Sequence, residues 1–386
     1  MHHKKVFDIP ITRPFLPPRA ELNAELDKIY AAARLANGGQ ATARLQTALQ
    51  RQLAVPQVSL FGSGHLALEA ALRVFVAPCP GGQVITTPFT FASTVNAILR
   101  CGLQPVFCDI KRDDFTLDAE QLEHCINERT CAILPVYVYG HPCNIGAIHT
   151  IAYQYSLPVI YDAAHAFGVT VNGQNLARAG RASVYSFHAT KLFHTAEGGA
   201  VAVGGPAGTA VLRRNVDALR LQAEFGLRET GDILCPGGNG KMNELEAAMG
   251  LCVLPHLREI IACRRALTWR YREQLAAIPG LRMFYPDQLP GVEYNYAYFP
   301  VQIDPAAFGC SRDALWHTLQ RQGIEARRYF WPAIPDAACY RAKYGGISIP
   351  VARHAAETVL CLPLFDSMTF DQLDRVCAAV RAARKS

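Results

Sequence analysis

The sequence predicts an α/β protein, a large N-terminal domain built on a mostly parallel, doubly wound sheet of roughly seven strands and followed by a smaller α+β domain. Three observations predict it. Short apolar runs recur from about residue 58, at "VSLFG" (58–62), "VITTP" (84–88), "PVFCDI" (105–110), "CAILPVYVYG" (131–140), "PVIYDAA" (158–164), "SVYSF" (183–187) and "GAVAVGG" (199–205). The runs are nearly continuous rather than alternating, as strands covered on both faces require. Helix patterns such as "GHLALEAALRVF" and "TFASTVNAILRCG" lie between most of them and supply crossover connections. The last two runs are too close for a crossover helix and are expected to pair antiparallel.

A long helical pattern runs from Met242 to Ile278, with Pro255 as a break or kink. Glu244, after Asn243 at its start, is expected to cap that helix. Beyond it come "YAYFPVQI", a helix "SRDALWHTLQRQG" and "IEARRYFWP", after which the chain is expected to finish in helices. This pattern divides the 386 residues into a cofactor-binding domain over 1–255 and a small domain over 256–386.

Composition excludes several classes. Half the residues are apolar and 18% are charged, which is ordinary globular usage. The net charge of +6 is mild and the arginines are dispersed, so no nucleic-acid stripe is expected. The basic end "DRVCAAVRAARKS" reads as an amphipathic helix with a solvated face. No run of eighteen apolar residues occurs, and the N-terminus lacks the apolar core of a secretion signal, so no membrane partner is expected. The thirteen cysteines include no C-x-x-C pair and no zinc spacing. Those features predict a reducing, cytoplasmic compartment, with no metal and no disulfide framework.

The chemistry concentrates on one lysine. The chain has eight lysines against thirty arginines, yet Lys191 stands between two strand-like runs in "SFHATKLFHTAEGGAVAV". A lysine kept where arginine is otherwise preferred suggests work that only a primary amine can do. Ligands of open α/β sheets gather at the carboxyl ends of the strands. The residues just past the apolar runs include Ser63 to His65, Phe91, Asp162, His165, Ser186, His188 and Lys191. An amine, a carboxylate, an aromatic ring and a glycine-serine helix start together are what pyridoxal 5'-phosphate requires. The amine bonds its aldehyde, the carboxylate pairs with the pyridine nitrogen, the ring stacks, and the helix start cradles the phosphate. No G-x-G-x-x-G follows the first strand and no G-x-x-x-x-G-K-[ST] occurs, so nicotinamide and nucleoside-triphosphate cofactors lack their fingerprints.

The segments "VITTPFTFASTVNAILRCGLQPVFCDI", "AILPVYVYGHPCNIGAI", "LPVIYDAAHAFGV", "SFHATKLFHTAEGGAVAV" and "GGNGKMNELEAAMGL" resemble the DegT family of nucleotide-sugar aminotransferases, which have the fold type I architecture. The resemblance implies that Lys191 bonds the cofactor, Asp162 partners the pyridinium and Phe91 stacks. It implies that Ser186 and the Gly64-His65 backbone bind the phosphate, and that His165 stands where a glutamine usually meets the ring hydroxyl. Asn239 matches a residue that reaches the phosphate of a neighbouring subunit, which implies a homodimer with shared sites. His65 departs from the usual threonine; its side chain either donates to phosphate or points elsewhere. His188 and His194 either contact the sugar or support the lysine loop. Lys241 either pairs with a phosphate or lies on the surface. Tyr329 and Trp331 either face the sugar or pack the small domain.

His165, with "ITRPFLPP" and "GKMNE", resembles a branch acting on dTDP-4-keto-6-deoxy sugars. That implies conversion of dTDP-4-keto-6-deoxy-D-glucose to dTDP-4-amino-4,6-dideoxy-D-glucose, with L-glutamate as donor. Transamination at carbon 3, or a sugar-nucleotide sensor without turnover, remain the alternatives.

Overall fold

A computed structural model describes residues 6–76, 79–204 and 209–384. Seven main strands lie in the first part of the chain: β1 (Gln57–Phe61), β2 (Gln83–Thr86), β3 (Gln104–Phe107), β4 (Thr130–Leu134), β5 (Ile160–Asp162) and, after a small hairpin of β6 (Thr170–Val171) and β7 (Gln174–Asn175), β8 (Ala182–Ser186) and β9 (Gly199–Val203). They do not form the single ladder expected. One sheet of four runs β1-β9-β8-β5, and a parallel sheet of three runs β3-β2-β4. The two meet through isolated parallel bridges, Ile133 to Val159 and Val136 to Asp162. Pro135 and Pro158 lie at that seam and have no N–H to donate, so a continuous ladder cannot form there. As expected, β9 runs antiparallel to β8, and it also runs antiparallel to β1.

Both faces of these strands are covered. On β9, Ala200 and Ala202 enter one apolar core while Val201 and Val203 enter another. β8 divides likewise, Tyr185 to the first core and Ala182 and Val184 to the second. The continuous apolar runs of the sequence follow directly, because a strand buried on both sides has no wet face.

The remaining strands are β10 (Leu281–Met283), β11 (Val292–Glu293), β12 (Phe299–Ile303) and β13 (Val359–Leu362). β10-β12-β13 form an antiparallel sheet, and β11 joins the β6–β7 hairpin. β13 corrects the expectation that the chain ends in helices alone. Its four residues are all buried, and it follows the helix Pro350–Thr358 with no intervening loop. A short apolar run of this kind is not separable from a buried helix by periodicity.

The pattern from 242 to 278 splits as expected into helices Glu244–Val253 and Leu257–Leu275, with Pro255 in a tight turn between them. The second helix is seated in two cores. Leu257 and Ile260 pack with the sheet residues, whereas Leu267, Tyr271 and Leu275 pack with β10, β12 and β13. Glu244 does not cap its own helix, a role taken by Asn243 and Glu246 in a reciprocal pair. Its carboxylate instead accepts from the N–H groups of Ala41 (2.7 Å) and Thr42 (3.0 Å), at the start of helix Gln40–Leu53. That helix begins after Gly39, which has no side chain to cap it, so a distant carboxylate satisfies the orphan donors.

Candidate active site

Register gathers the strand ends at one edge. Phe61, last in β1, pairs with Gly199, and Gly199 pairs with Ser186, last in β8; Asp162 ends β5 beside it. A cavity of about 320 Å³ opens there, with Gly64, His65, Phe91, Asp162, His165, Ser186, His188, Lys191 and Tyr329 all in its wall. Nine sequence-predicted positions thus converge on one place.

The helix Gly64–Phe75 starts at this wall because Ser63 caps it, its Oγ accepting from Leu66 N at 3.2 Å. Gly64 is required by close approach: a Cβ there would lie 2.7 Å from Ser186 Cβ. The unpaired N–H groups of the first turn and the Ser186 hydroxyl therefore share one corner of the cavity. The His65 ring is held by two neighbours. Its Nδ1 lies 2.9 Å from Ser93 Oγ and its Nε2 3.1 Å from Glu69 Oε1.

Lys191 sits on a loop tied across its base by Thr195 N to Phe187 O (2.9 Å) and Ala189 N to Ala196 O (2.7 Å). Its Nζ donates to Tyr298 Oη at 3.2 Å. Burial lowers the pKa of this amine, and the opposing pull of Asp162 and Tyr329 does not cancel the effect. Asp162 is 5% exposed. Its Oδ2 accepts from Thr94 Oγ1 (2.8 Å) and its Oδ1 from Ala164 N (3.1 Å). Burial raises its pKa, while those hydrogen bonds and Lys191 work against the rise.

His165 is buried, and burial first and Lys191 second keep it neutral, with a pKa well below the usual histidine value. Its Nδ1 accepts from Tyr139 N at 3.1 Å, which leaves the ring proton on Nε2. Phe330 lies parallel to the ring, 6° between planes and 5.9 Å between centroids. Asn295 fixes the backbone here, donating to His165 O (2.8 Å) and Phe167 O (2.9 Å). Phe91 is 59% exposed and offers an open ring face at the cavity wall. His188 bonds Thr190 and faces Glu197 at 3.6 Å.

Asn239 and Lys241 are not in the wall of this cavity. Lys241 Nζ donates to Asn239 Oδ1 (2.7 Å) and lies 4.9 Å over the Phe225 ring. His194 supports the loop, donating to Phe15 O (2.8 Å) and accepting from Ala196 N (3.2 Å). Trp331 is exposed and stacks on Arg328 at 4.0 Å.

Wall residues that were not singled out in the sequence include Ser93, Thr190, Glu197, Tyr298, Arg327 and Phe330. Thr94, which bonds Asp162, was not singled out either. Tyr298 stands in "NYAYFP", whose alternating aromatics read only as a strand face.

Residues 18–381 match the model of the DegT/DnrJ/EryC1/StrS aminotransferase family. The chain belongs to this family. Over 372 residues it is 37% identical to a dTDP-4-amino-4,6-dideoxy-D-glucose transaminase of Shigella dysenteriae, covering 96% of this chain and 98% of the relative. A transaminase of the same name from Escherichia coli is 38% identical over 365 residues, 93% of this chain and 94% of the relative. Among solved structures, DesI, crystallised in the presence of its TDP-sugar product, superposes with a TM-score of 0.90 at 31% identity, covering 99% of this chain and 94% of that one. The architecture is that of the fold type I aminotransferases, with mixed sheets, and the chain is an aminotransferase. Family membership implies pyridoxal phosphate, and the cavity fits it: a depressed amine, a buried hydrogen-bonded carboxylate, and a glycine-lined helix start against a serine.

Proposed function

We propose that this chain moves an amino group from L-glutamate to carbon 4 of dTDP-4-keto-6-deoxy-D-glucose, giving dTDP-4-amino-4,6-dideoxy-D-glucose, with pyridoxal phosphate as cofactor. The observation that carries the proposal is the Lys191 amine, enclosed beside Asp162 yet bonded to a tyrosine hydroxyl rather than to a carboxylate. Two relatives at 37% and 38% identity carry the name of that transaminase.

Bound pyridoxal phosphate supplies the aldehyde that takes up the amino group and a ring that accepts the electron pair left when the donor's α-proton departs. Lys191 Nζ, free of a carboxylate contact, takes that proton in the first half-reaction and returns one to the sugar carbon in the second. Asp162, held as an acceptor by Thr94 and Ala164, pairs with the pyridine nitrogen and keeps it protonated. His165 donates from Nε2 to the ring hydroxyl, the role its neutral tautomer allows. Ser186 and the N–H groups at Gly64 and His65 hold the phosphate, and Phe91 covers the ring. His188 and Tyr329 contact the sugar.

The segment from Phe225 to Lys241 bears exposed Phe225, Leu227, Ile233 and Leu234, and Asn239 and Lys241 lie outside their own chain's cavity. We assign this segment to a homodimer interface, with Asn239 and Lys241 reaching the partner's phosphates. The thirteen free thiols suit a reducing cytoplasm, and among the described residues no helix is long and apolar enough to cross a membrane. The two ladders serve as one seven-stranded platform, with the small domain starting near residue 256.

The test is the visible spectrum with added cofactor, before and after L-glutamate, followed by proton NMR of the product made from the keto sugar. Yellow absorbance that bleaches with glutamate, and an equatorial amine assigned to carbon 4, are expected. A colourless protein, or an amine at carbon 3, overturns the corresponding part.

A further inference from the structure

Among the described residues, one arginine lines the cavity besides Lys191: Arg327. The carboxylates in the wall are Asp162 and Glu197. The Arg327 guanidinium is pre-set by two neighbours. Its Nε and Nη2 both donate to Glu325 Oε1 at 3.1 Å, and its Nη1 donates to Tyr329 Oη at 2.7 Å. Glu325 is itself anchored, its Oε2 accepting from Ile11 N at 3.0 Å. A guanidinium has five N–H donors, so one N–H on each η nitrogen is left without a partner among the described residues.

The adjacent arginine shows the contrast. Arg328 is caught between Trp316 (4.2 Å) and Trp331 (4.0 Å) and bonds Asp313, outside the cavity. Arg327 alone of the two turns toward Lys191. The path between them is short: Arg327 bonds the Tyr329 hydroxyl, the Tyr329 ring is 6.0 Å from that of Tyr298, and the Tyr298 hydroxyl bonds the Lys191 amine.

We infer that Arg327 is the anchor for a carboxylate of the amino-acid donor, a role that rests on the transaminase proposal above. Two N–H groups on separate η nitrogens match the two oxygens of one carboxylate. Glu325 already neutralises part of the guanidinium charge, which suits a singly charged carboxylate and disfavours a diphosphate. An anion at this wall also lies on the Lys191 side of the cavity, where an α-amino acid must present its amine. The sugar's diphosphate is separated from its keto carbon by the pyranose ring and reaches a more distant contact.

The two half-reactions separate the roles. Holoenzyme is bleached with L-glutamate, and the pyridoxamine form is regenerated from the yellow form by the dTDP-amino sugar in a separate experiment. Arg327→Met is expected to retain the yellow absorbance, to raise the apparent Kd for glutamate about thirtyfold or more, and to leave that for the amino sugar within about threefold. Arg327→Lys restores charge without the fork and is expected to recover part of the glutamate affinity. Equal weakening of both half-reactions assigns Arg327 to a shared or diphosphate contact and overturns the inference, as does no change in either. A wild-type holoenzyme that neither substrate bleaches overturns the transaminase proposal itself, and the inference with it.

Discussion

Two buried pairs in this molecule use the same ingredients, a basic side chain and an aspartate, to opposite ends. Arg272 and Asp287 meet as a fork, with contacts of 2.7 and 2.5 Å, both side chains about 10% exposed. Burial pushes Asp287 up, but the Arg272 bonds and charge outweigh it and hold its pKa below the usual value. Lys191 and Asp162 face the same cavity without closing into such a contact; each takes its hydrogen bonds from neutral neighbours, Tyr298 for one, Thr94 and Ala164 for the other. Burial therefore wins at both, lowering the lysine and raising the aspartate. A structural pair is satisfied by its partner; a reactive pair is kept apart so that a third molecule can use both charges.

The sharpest way to break the comparison is Lys191→Ala. Turnover should fall about a thousandfold or more, roughly 4 kcal/mol, while the thermal midpoint of the cofactor-free protein stays within about 2 °C. A fall of both together would make Lys191 structural. Asp162→Asn should lower kcat about a hundredfold, roughly 3 kcal/mol, with the fold intact, because the pyridine nitrogen loses its counter-charge. Unchanged kcat would remove Asp162 from the chemistry.

Arg272→Met tests the other pair. It leaves Asp287 buried without its cation and should cost about 2–3 kcal/mol of stability in denaturant titration, with kcat of the folded fraction unchanged. The pH dependence has a defined sign. Asp287 is depressed in the folded state, so its contribution is present above the ordinary aspartate range near 3.8 and is lost as pH falls through the folded value. Acid titration of wild type against Arg272→Met should show the two stability curves converging below about pH 4; parallel curves would sink the assignment. The smallest effect is expected from Tyr298→Phe, about a fivefold loss in kcat, or 1 kcal/mol, with an altered pH at which the lysine-linked cofactor changes colour. An unaltered pH profile would reduce Tyr298 to packing.

Much of this was legible in the sequence, for physical reasons. The apolar runs are continuous because β8 and β9 have a core on each side, and Lys191 and Asp162 stand out because strand ends collect ligands. Tyr298 was not legible, since it lies 107 residues from the amine it bonds. Nor was the target of Glu244, a helix start 202 residues away. The contacts of the His65 side chain with Ser93 and Glu69 were not legible either, since Ser93 lies 28 residues away. The break between the two ladders depends on Pro135 and Pro158 both falling at the seam between β4 and β5, a matter of register that a linear pattern does not carry.

The helix Leu257–Leu275 has a mechanical consequence. A lobe hung on a loose linker can swing like a clamshell, but here one continuous rod is set at one end in the sheet's core and at the other in the core of β10, β12 and β13. Swinging the lobe would mean snapping the rod's own i to i−4 bonds or drawing it from one socket. A guest at the cavity is therefore expected to find the two cores already set, with no hinge inside this helix to close them.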